Sequence, residues 1–205
     1  MAKSFFYNTL NPILLSTLKK LMEAKIFSPF RLVGGTSLSL QLGHRQSVDI
    51  DLFTDSEYSS IDFAAIDNYL KNNFNYIDSL NTSIIGMGKS YFIGESVNQC
   101  VKLDLFYTDS FIRPVLFRDG LRLAGLEDIA AMKLDVIARG GRKKDFWDIH
   151  ELLETFSLEQ MLNFHEVRYP WSHIKEEILK KLVVFEQADS DFDPICLKNK
   201  YWELI

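Results

Sequence analysis

Two aspartates one residue apart, Asp49 and Asp51 in VDIDLF (48–53), stand shortly after a Gly34-Gly35 pair. Alternate residues of a strand leave the same face, so both carboxylates point one way, opposite Val48 and Ile50. In QCVKLDLFY (99–107) the pattern repeats, with Val101, Leu103 and Leu105 on one side and Lys102 and Asp104 on the other. If these strands are neighbours, three carboxylates converge. Like charges raise one another's pKa, and a divalent cation reverses that balance. Hard oxygen ligands suit Mg²⁺, which keeps several waters and recruits substrate phosphates. The acid set is therefore suited to a nucleoside triphosphate. Gly34, Gly35, Thr36 and Ser37 supply the complement, since turn amides and hydroxyls at a helix start can hold phosphate oxygens. Arg45, just ahead of the aspartates, can reach a phosphate. His44 reads as a loop residue.

These residues need a frame. Leu10, Ile13, Leu14, Leu18, Leu21 and Met22 recur at helical spacing and predict a helix over 9–25. Pro29 closes that region. RLV predicts a short strand into Gly34-Gly35, and Thr36 suits the N-cap of a brief helix ended by Gly43. A helix is expected over 61–73, then three extended segments, TSIIGM (82–87), SYFIG (90–94) and QCVKLDLFY. From Leu126 the periodicity turns helical: GLEDIAAMKLDVIAR (125–139), KKDFWDIHELLETF (143–156), and two more helices over 158–165 and 172–187. The expected organisation is α+β, a mixed sheet with flanking helices in residues 1–124, then a helical part in 125–205.

Composition narrows the function classes. The 205 residues are 47% hydrophobic and 25% charged, enough to bury a sizeable core. A formal charge of −5 argues against passive coating of nucleic acid, which rests on many cation–phosphate contacts. One basic run, Arg139, Arg142, Lys143 and Lys144, is open to two readings, a solvated helix junction or a phosphate-facing patch. Apolar runs such as LVVF (182–185) are too short to span a bilayer. The N-terminus lacks a signal-peptide pattern. Cys100 and Cys196 suggest neither a disulfide framework nor a zinc site, and His150, His165 and His173 show no metal-ligand spacing. A cytoplasmic protein is expected.

The order of G-G-T, short helix and D-x-D strand in VGGTSLSLQLGHRQSVDIDLF resembles the DNA polymerase β-like nucleotidyltransferase superfamily. Within it, the stretch is similar to the AbiEii/AbiGii toxin family. That resemblance continues through EDIAAMKLDVIARGGRKKDFWDIHEL and into the tail QADSDFDPICLKNKYWELI. It implies Mg²⁺-dependent transfer of a nucleoside monophosphate from a triphosphate to an acceptor hydroxyl, with two ions expected. Carried onto this sequence, it implies triphosphate on Gly35 and Thr36 or Ser37, and metal on Asp49 and Asp51. Lys133 matches the family's helical lysine, there to neutralise triphosphate charge. Asp145 matches its later acid, to orient Lys133 or activate the acceptor, and Asp104 matches the superfamily's third carboxylate, a metal ligand and general base. Asp148 is expected to be structural, pairing with Arg142 or Lys144. Phe146 and Trp147 are expected to be core residues of the helical part, and the tail with Trp202 to pack against the body.

The resemblance further implies an RNA acceptor such as tRNA, or a protein, and a cognate antitoxin as partner. Two other readings share these residues. One is a nucleotidyltransferase acting on a small molecule such as an antibiotic, separable by offering labelled triphosphates with tRNA or with small acceptors. The other is a non-catalytic nucleotide-binding module, which would bind Mg²⁺-triphosphate without turnover.

Overall fold

The computed structural model describes residues 4–79 and 86–205. Asn11 opens α1 (Pro12–Glu23) by accepting the Leu14 amide on its side chain, with Pro12 in the first turn where no amide partner is needed. The helix is shorter than its apolar pattern suggests, because Leu10 is drawn instead into a bridge with Ser47. Then come β1 (Arg31–Leu32), α2 (Gly34–Leu42), β2 (Asp49–Thr54), α3 (Phe63–Asn73), β3 (Tyr76–Ser79), β4 (Gly88–Ser96) and β5 (Gln99–Tyr107). A hairpin of β6 (Leu116–Arg118) and β7 (Leu121–Leu123) turns on Asp119-Gly120, both at positive φ. Five helices follow: α4 (Leu126–Ala138), α5 (Lys143–Leu152), α6 (Leu158–Arg168), α7 (Lys175–Lys181) and α8 (Glu186–Asp189).

Among the described residues seven strands form one mixed sheet in the order β3-β4-β5-β2-β1-β7-β6. β2 lies parallel to β5 and antiparallel to β1, while β1 runs parallel to β7. Alternation decides which face is buried. Ile50, Leu52, Val101, Leu103 and Leu105 join Leu14, Leu18 and Leu21 of α1 and Ile66 and Leu70 of α3 in one apolar cluster. The opposite residues, Asp49, Asp51, Phe53, Lys102, Asp104 and Phe106, stay half-buried. A second cluster centres on α4, with Leu134 and Ile137 against Phe146, Leu152 and Met161, and it takes in Leu38 of α2. Since Leu40 belongs to the first cluster, α2 contributes to both, as β2 does through Ile50 and Leu52 on one side and Phe53 on the other. No helix among the described residues is long and apolar enough to cross a membrane.

Several local expectations change. The segment 82–85 of the expected TSIIGM strand lies outside the described residues, and Gly86 and Met87 form a bend. β3, β6 and β7 are too short to carry a clear alternation. The single helix expected over 172–187 is two, because the chain turns at 182–185 and brings the Phe185 ring to 5.1 Å from Phe146 and 5.7 Å from Trp202. Phe146 and Trp147 are buried, and Trp202 stacks on Trp147 at 6.4 Å. Val48 lies before β2 and is 62% exposed, so it leaves the apolar face to Ile50 and Leu52.

Candidate active site

Register brings the acids together. Asp51 of β2 sits opposite Asp104 of β5, and Asp49 opposite Lys102, all on the face away from the first core cluster. The next residue along β1 is Val33, whose amide bonds to the Asp51 carbonyl, so the Gly34-Gly35 bend is held beside β2. Gly34 has φ +64, and a Cβ there would stand 2.6 Å from Asp51 Oδ2. Backbone and carboxylate approach this closely only because residue 34 has no side chain. Gly34→Ala is therefore expected to cost about 1–2 kcal/mol in thermal melting, from the left-handed backbone and the displaced carboxylate. It should also impair nucleotide incorporation.

Thr36 is not the helix cap. Val33 occupies that position and α2 already begins at Gly34. The fully buried Thr36 hydroxyl donates to the Asp49 carbonyl and lies 2.8 Å from Ser47 Oγ. It ties the helix start to the strand that carries the acids. Ser37 is likewise buried, and its Oγ accepts from Gln41 Nε2 at 3.2 Å. Both hydroxyls are thus engaged inside the protein, and the bend offers a ligand its backbone amides.

Three helical residues, Lys133, Asp145 and Asp148, and two loop residues, His44 and Arg45, close the site from the other side. Lys133 of α4 reaches Asp145 Oδ1 and Asp148 Oδ2 of α5, each at 2.6 Å. The other Asp145 oxygen accepts the Arg142 amide at 3.0 Å, capping the start of α5. Asp148 does not pair with Arg142 or Lys144. Its partners are Arg45, through Nε at 2.7 Å and Nη2 at 2.8 Å, His44 Nε2 at 2.8 Å, and Lys133. His44 lies in a loop as expected, and is fully buried there. Nothing in the spacing of residues 44, 45, 133 and 148 announces this cluster, because its members come from three separate segments, the loop after α2, α4 and α5.

The electrostatics follow from burial and pairing. Burial alone would depress the Lys133 ammonium, but Asp148 and Asp145 outweigh it and hold the pKa above its ordinary value. Burial would raise Asp148, yet Arg45, Lys133 and the His44 hydrogen bond hold it well below the usual carboxylate range. Asp51 goes the other way. Burial, then the charges of Asp104 and Asp49, push it up to about 6 against the opposing pull of Lys133 and Lys144.

Such a carboxylate set fits a divalent cation. Asp104 Oδ1 is buried with no hydrogen-bond partner among the described residues, while its Oδ2 accepts from Lys102 at 2.6 Å. Among the described residues, the one group of three or more acid, His or Cys side chains with ligand atoms mutually within 4.8 Å is His150, Glu151 and Glu154. There Lys198 and Lys200 already neutralise both glutamates. The strand aspartates lie outside that spacing, so a Mg²⁺ ion there would take one or two of them and complete its shell with waters and phosphate oxygens.

The basic run does not form an open patch. Arg139 pairs with Asp135, Arg142 with Asp191 at 3.1 Å, Lys143 with Asp193 at 2.8 Å, and Lys144 with Asp49 at 3.6 Å. Of the four, Lys144 lines the central cavity, with Gly34, Gly35, Arg45, Asp49, Asp51, Lys133 and Asp145. Ser47, which the sequence reading passed over, lines it as well.

A mixed sheet presenting paired aspartates beside a diglycine bend, closed by a lysine-bearing helix, defines a nucleotidyltransferase. The chain belongs to the nucleotidyl transferase AbiEii toxin family of type IV toxin–antitoxin systems, whose family model matches residues 16–203. It is 30% identical to the uncharacterized protein aq_aa25 of Aquifex aeolicus over 197 residues, covering 91% of this chain and 87% of the other. The fold is similar to JHP933 from Helicobacter pylori, with TM-score 0.51 and 20% identity over 83% of this chain and 86% of that one. It is also similar to a candidate nucleotidyltransferase from H. pylori, with TM-score 0.52 and 20% identity over 88% and 84% of the two chains. The enzyme class and the toxin family expected from the sequence therefore stand, and with them an NTP substrate and an antitoxin partner.

Proposed function

We propose that this protein transfers a nucleoside monophosphate from an NTP to an acceptor hydroxyl, with RNA, and the acceptor end of tRNA in particular, as the acceptor. The observation that carries the transfer is the register of Asp51 against Asp104 beside the Gly34-Gly35 bend. Asp49, Asp51 and Asp104 would hold Mg²⁺, in one or two ions. Bound there, the metal would supply charge stabilisation at the attacking and leaving oxygens.

The chain's own residues do the rest. Amides of the 34–36 bend bind the triphosphate oxygens at the start of α2. Lys133 and Lys144 neutralise phosphate charge, and Arg45, fixed by Asp148 and the Gln46 carbonyl, keeps two N–H donors for the same cavity. The acceptor oxygen bonds to the α-phosphorus, the bond to pyrophosphate breaks, and the acceptor proton passes to a carboxylate. Asp104 suits that role better than Asp145. One Asp104 oxygen is unengaged, whereas both Asp145 oxygens are occupied by Lys133 and the Arg142 amide. Residues 1–124 act as the catalytic half and 125–205 as the helical half that contributes Lys133 and Asp145. We place the reaction in the cytoplasm, as the toxic activity of a toxin–antitoxin pair.

Incubation with each labelled NTP, Mg²⁺ and total RNA, followed by gel separation, tests the reading. Label should enter an RNA band with one preferred NTP and disappear when EDTA is added. Label entering a small acceptor instead would replace RNA with a small-molecule substrate. Mg²⁺-triphosphate binding without any transfer would reduce the protein to a nucleotide-binding module.

A further inference from the structure

The central cavity is small, about 220 Å³, against roughly 300–1,000 Å³ for typical small-molecule sites. A nucleoside triphosphate seated on the aspartates must therefore extend beyond it, and the surroundings are polarised. Towards Asp49 the cavity opens onto Arg45, Arg142 and Lys144, with Asp191 and Asp193 beside them already paired to Arg142 and Lys143. In the other direction it passes Phe53, Met132 and Val136, which line both it and a neighbouring chamber of about 580 Å³. That chamber is walled by Tyr58, Tyr107 and Tyr169. The Tyr58 and Tyr107 rings pack 5.3 Å apart, and Phe53 meets Phe106 at 5.9 Å.

An NTP has one anionic end and one aromatic end, and this cleft offers cations on one side and aromatic rings on the other. Resting on the reading that the site binds an NTP, we propose that the aromatic chamber beyond Phe53 and Val136 seats the nucleobase and ribose. The triphosphate then lies along β2 over Asp51 and Asp49 towards Lys144. Phosphate is less favoured at the far end, because the walls there are largely ring and aliphatic carbon and the one guanidinium on them, Arg139, is already paired with Asp135 beside Asp109. A base gains there what it gains on any aromatic platform, dispersion and stacking that tolerate sequence differences.

Val136 is 37% exposed on α4, so Val136→Trp fills the passage without entering the core. Tyr58, 56% exposed, provides a second variant that removes one wall, Tyr58→Ala. Binding of the four NTPs and of tripolyphosphate to the full chain with Mg²⁺ is measured by calorimetry, with thermal melting to confirm folding. The wild type should bind one or more NTPs more tightly than tripolyphosphate. Val136→Trp should weaken NTP binding about tenfold or more, Tyr58→Ala should weaken it by less, and both variants should leave tripolyphosphate binding unchanged. Variants that bind NTP like the wild type overturn the proposal, and if they lose only transfer to RNA, the chamber belongs to the acceptor. A wild type that binds tripolyphosphate as tightly as every NTP overturns the chamber alone. A wild type that binds neither overturns it together with the nucleotide reading.

Discussion

Asp51→Asn should abolish nucleotide transfer and at the same time stabilise the metal-free protein. Loss of activity follows from the position, since Asp51 is the central acid of the strand face and touches the diglycine bend. The gain in stability follows from its electrostatics. The folded pKa of about 6 lies above the ordinary 3.8, so the folded state binds this proton more tightly than the unfolded chain does. That contribution is present below about pH 4 and is lost as pH rises through 6. At pH 7.5 the ionised side chain therefore costs about 2 kcal/mol, allowing for solvent screening at a half-open cavity. Asn keeps the shape and removes the charge. Melting at pH 7.5 without metal should show the variant a few degrees above wild type, and at pH 4 the difference should vanish. Mg²⁺ should raise the melting temperature of the wild type and leave the variant where it is. Equal melting of the two proteins at pH 7.5 would remove the electrostatic account, and retained incorporation would remove the catalytic one.

Asp148→Ala should do the opposite to stability. Asp148 is fully buried and receives Arg45 twice, His44 once and Lys133 once. Its removal leaves a buried guanidinium unpaired and leaves Lys133 with Asp145 alone. Breaking a buried pair from one side costs about 3–5 kcal/mol, a large share of the roughly 5–15 kcal/mol that holds a domain folded. Because the folded pKa of Asp148 is depressed, the stability it contributes is present above the unfolded value of 3.8 and is lost only as pH falls through the lower folded value. Denaturant unfolding at neutral pH should show the full loss. A variant within about 1 kcal/mol of the wild type would show that the cluster is not what fixes Arg45 and Lys133. Where enough folded Asp148→Ala remains, its KM for NTP should rise more than its kcat falls, since the displaced cations serve triphosphate binding.

The helices and long strands were legible in the sequence because each carries its own periodicity. β5 was read with the ends the structure gives it, and α4 to within a residue, since alternation and 3.6-residue spacing act within one segment. The short strands β3, β6 and β7 had no room for such a pattern, although Asp119-Gly120 was a usable hairpin signal. The break between α7 and α8 has no local cause visible in 172–187, because it serves the contact of Phe185 with Phe146 and Trp202.

By itself, then, the sequence determined the class of chemistry. Two glycines, a short helix and alternate acids on a strand specify the parts of a phosphate and metal site through local geometry alone. Tertiary structure decided which parts meet. It set Asp104 opposite Asp51 and turned the Thr36 hydroxyl inward to hold the Asp49 backbone. It also gathered His44, Arg45, Lys133 and Asp148 into one buried cluster. Charges from separate segments can be buried only by one another, and which of them do so depends on the packing of α4 and α5 against α2, a relation that no single stretch of the chain contains.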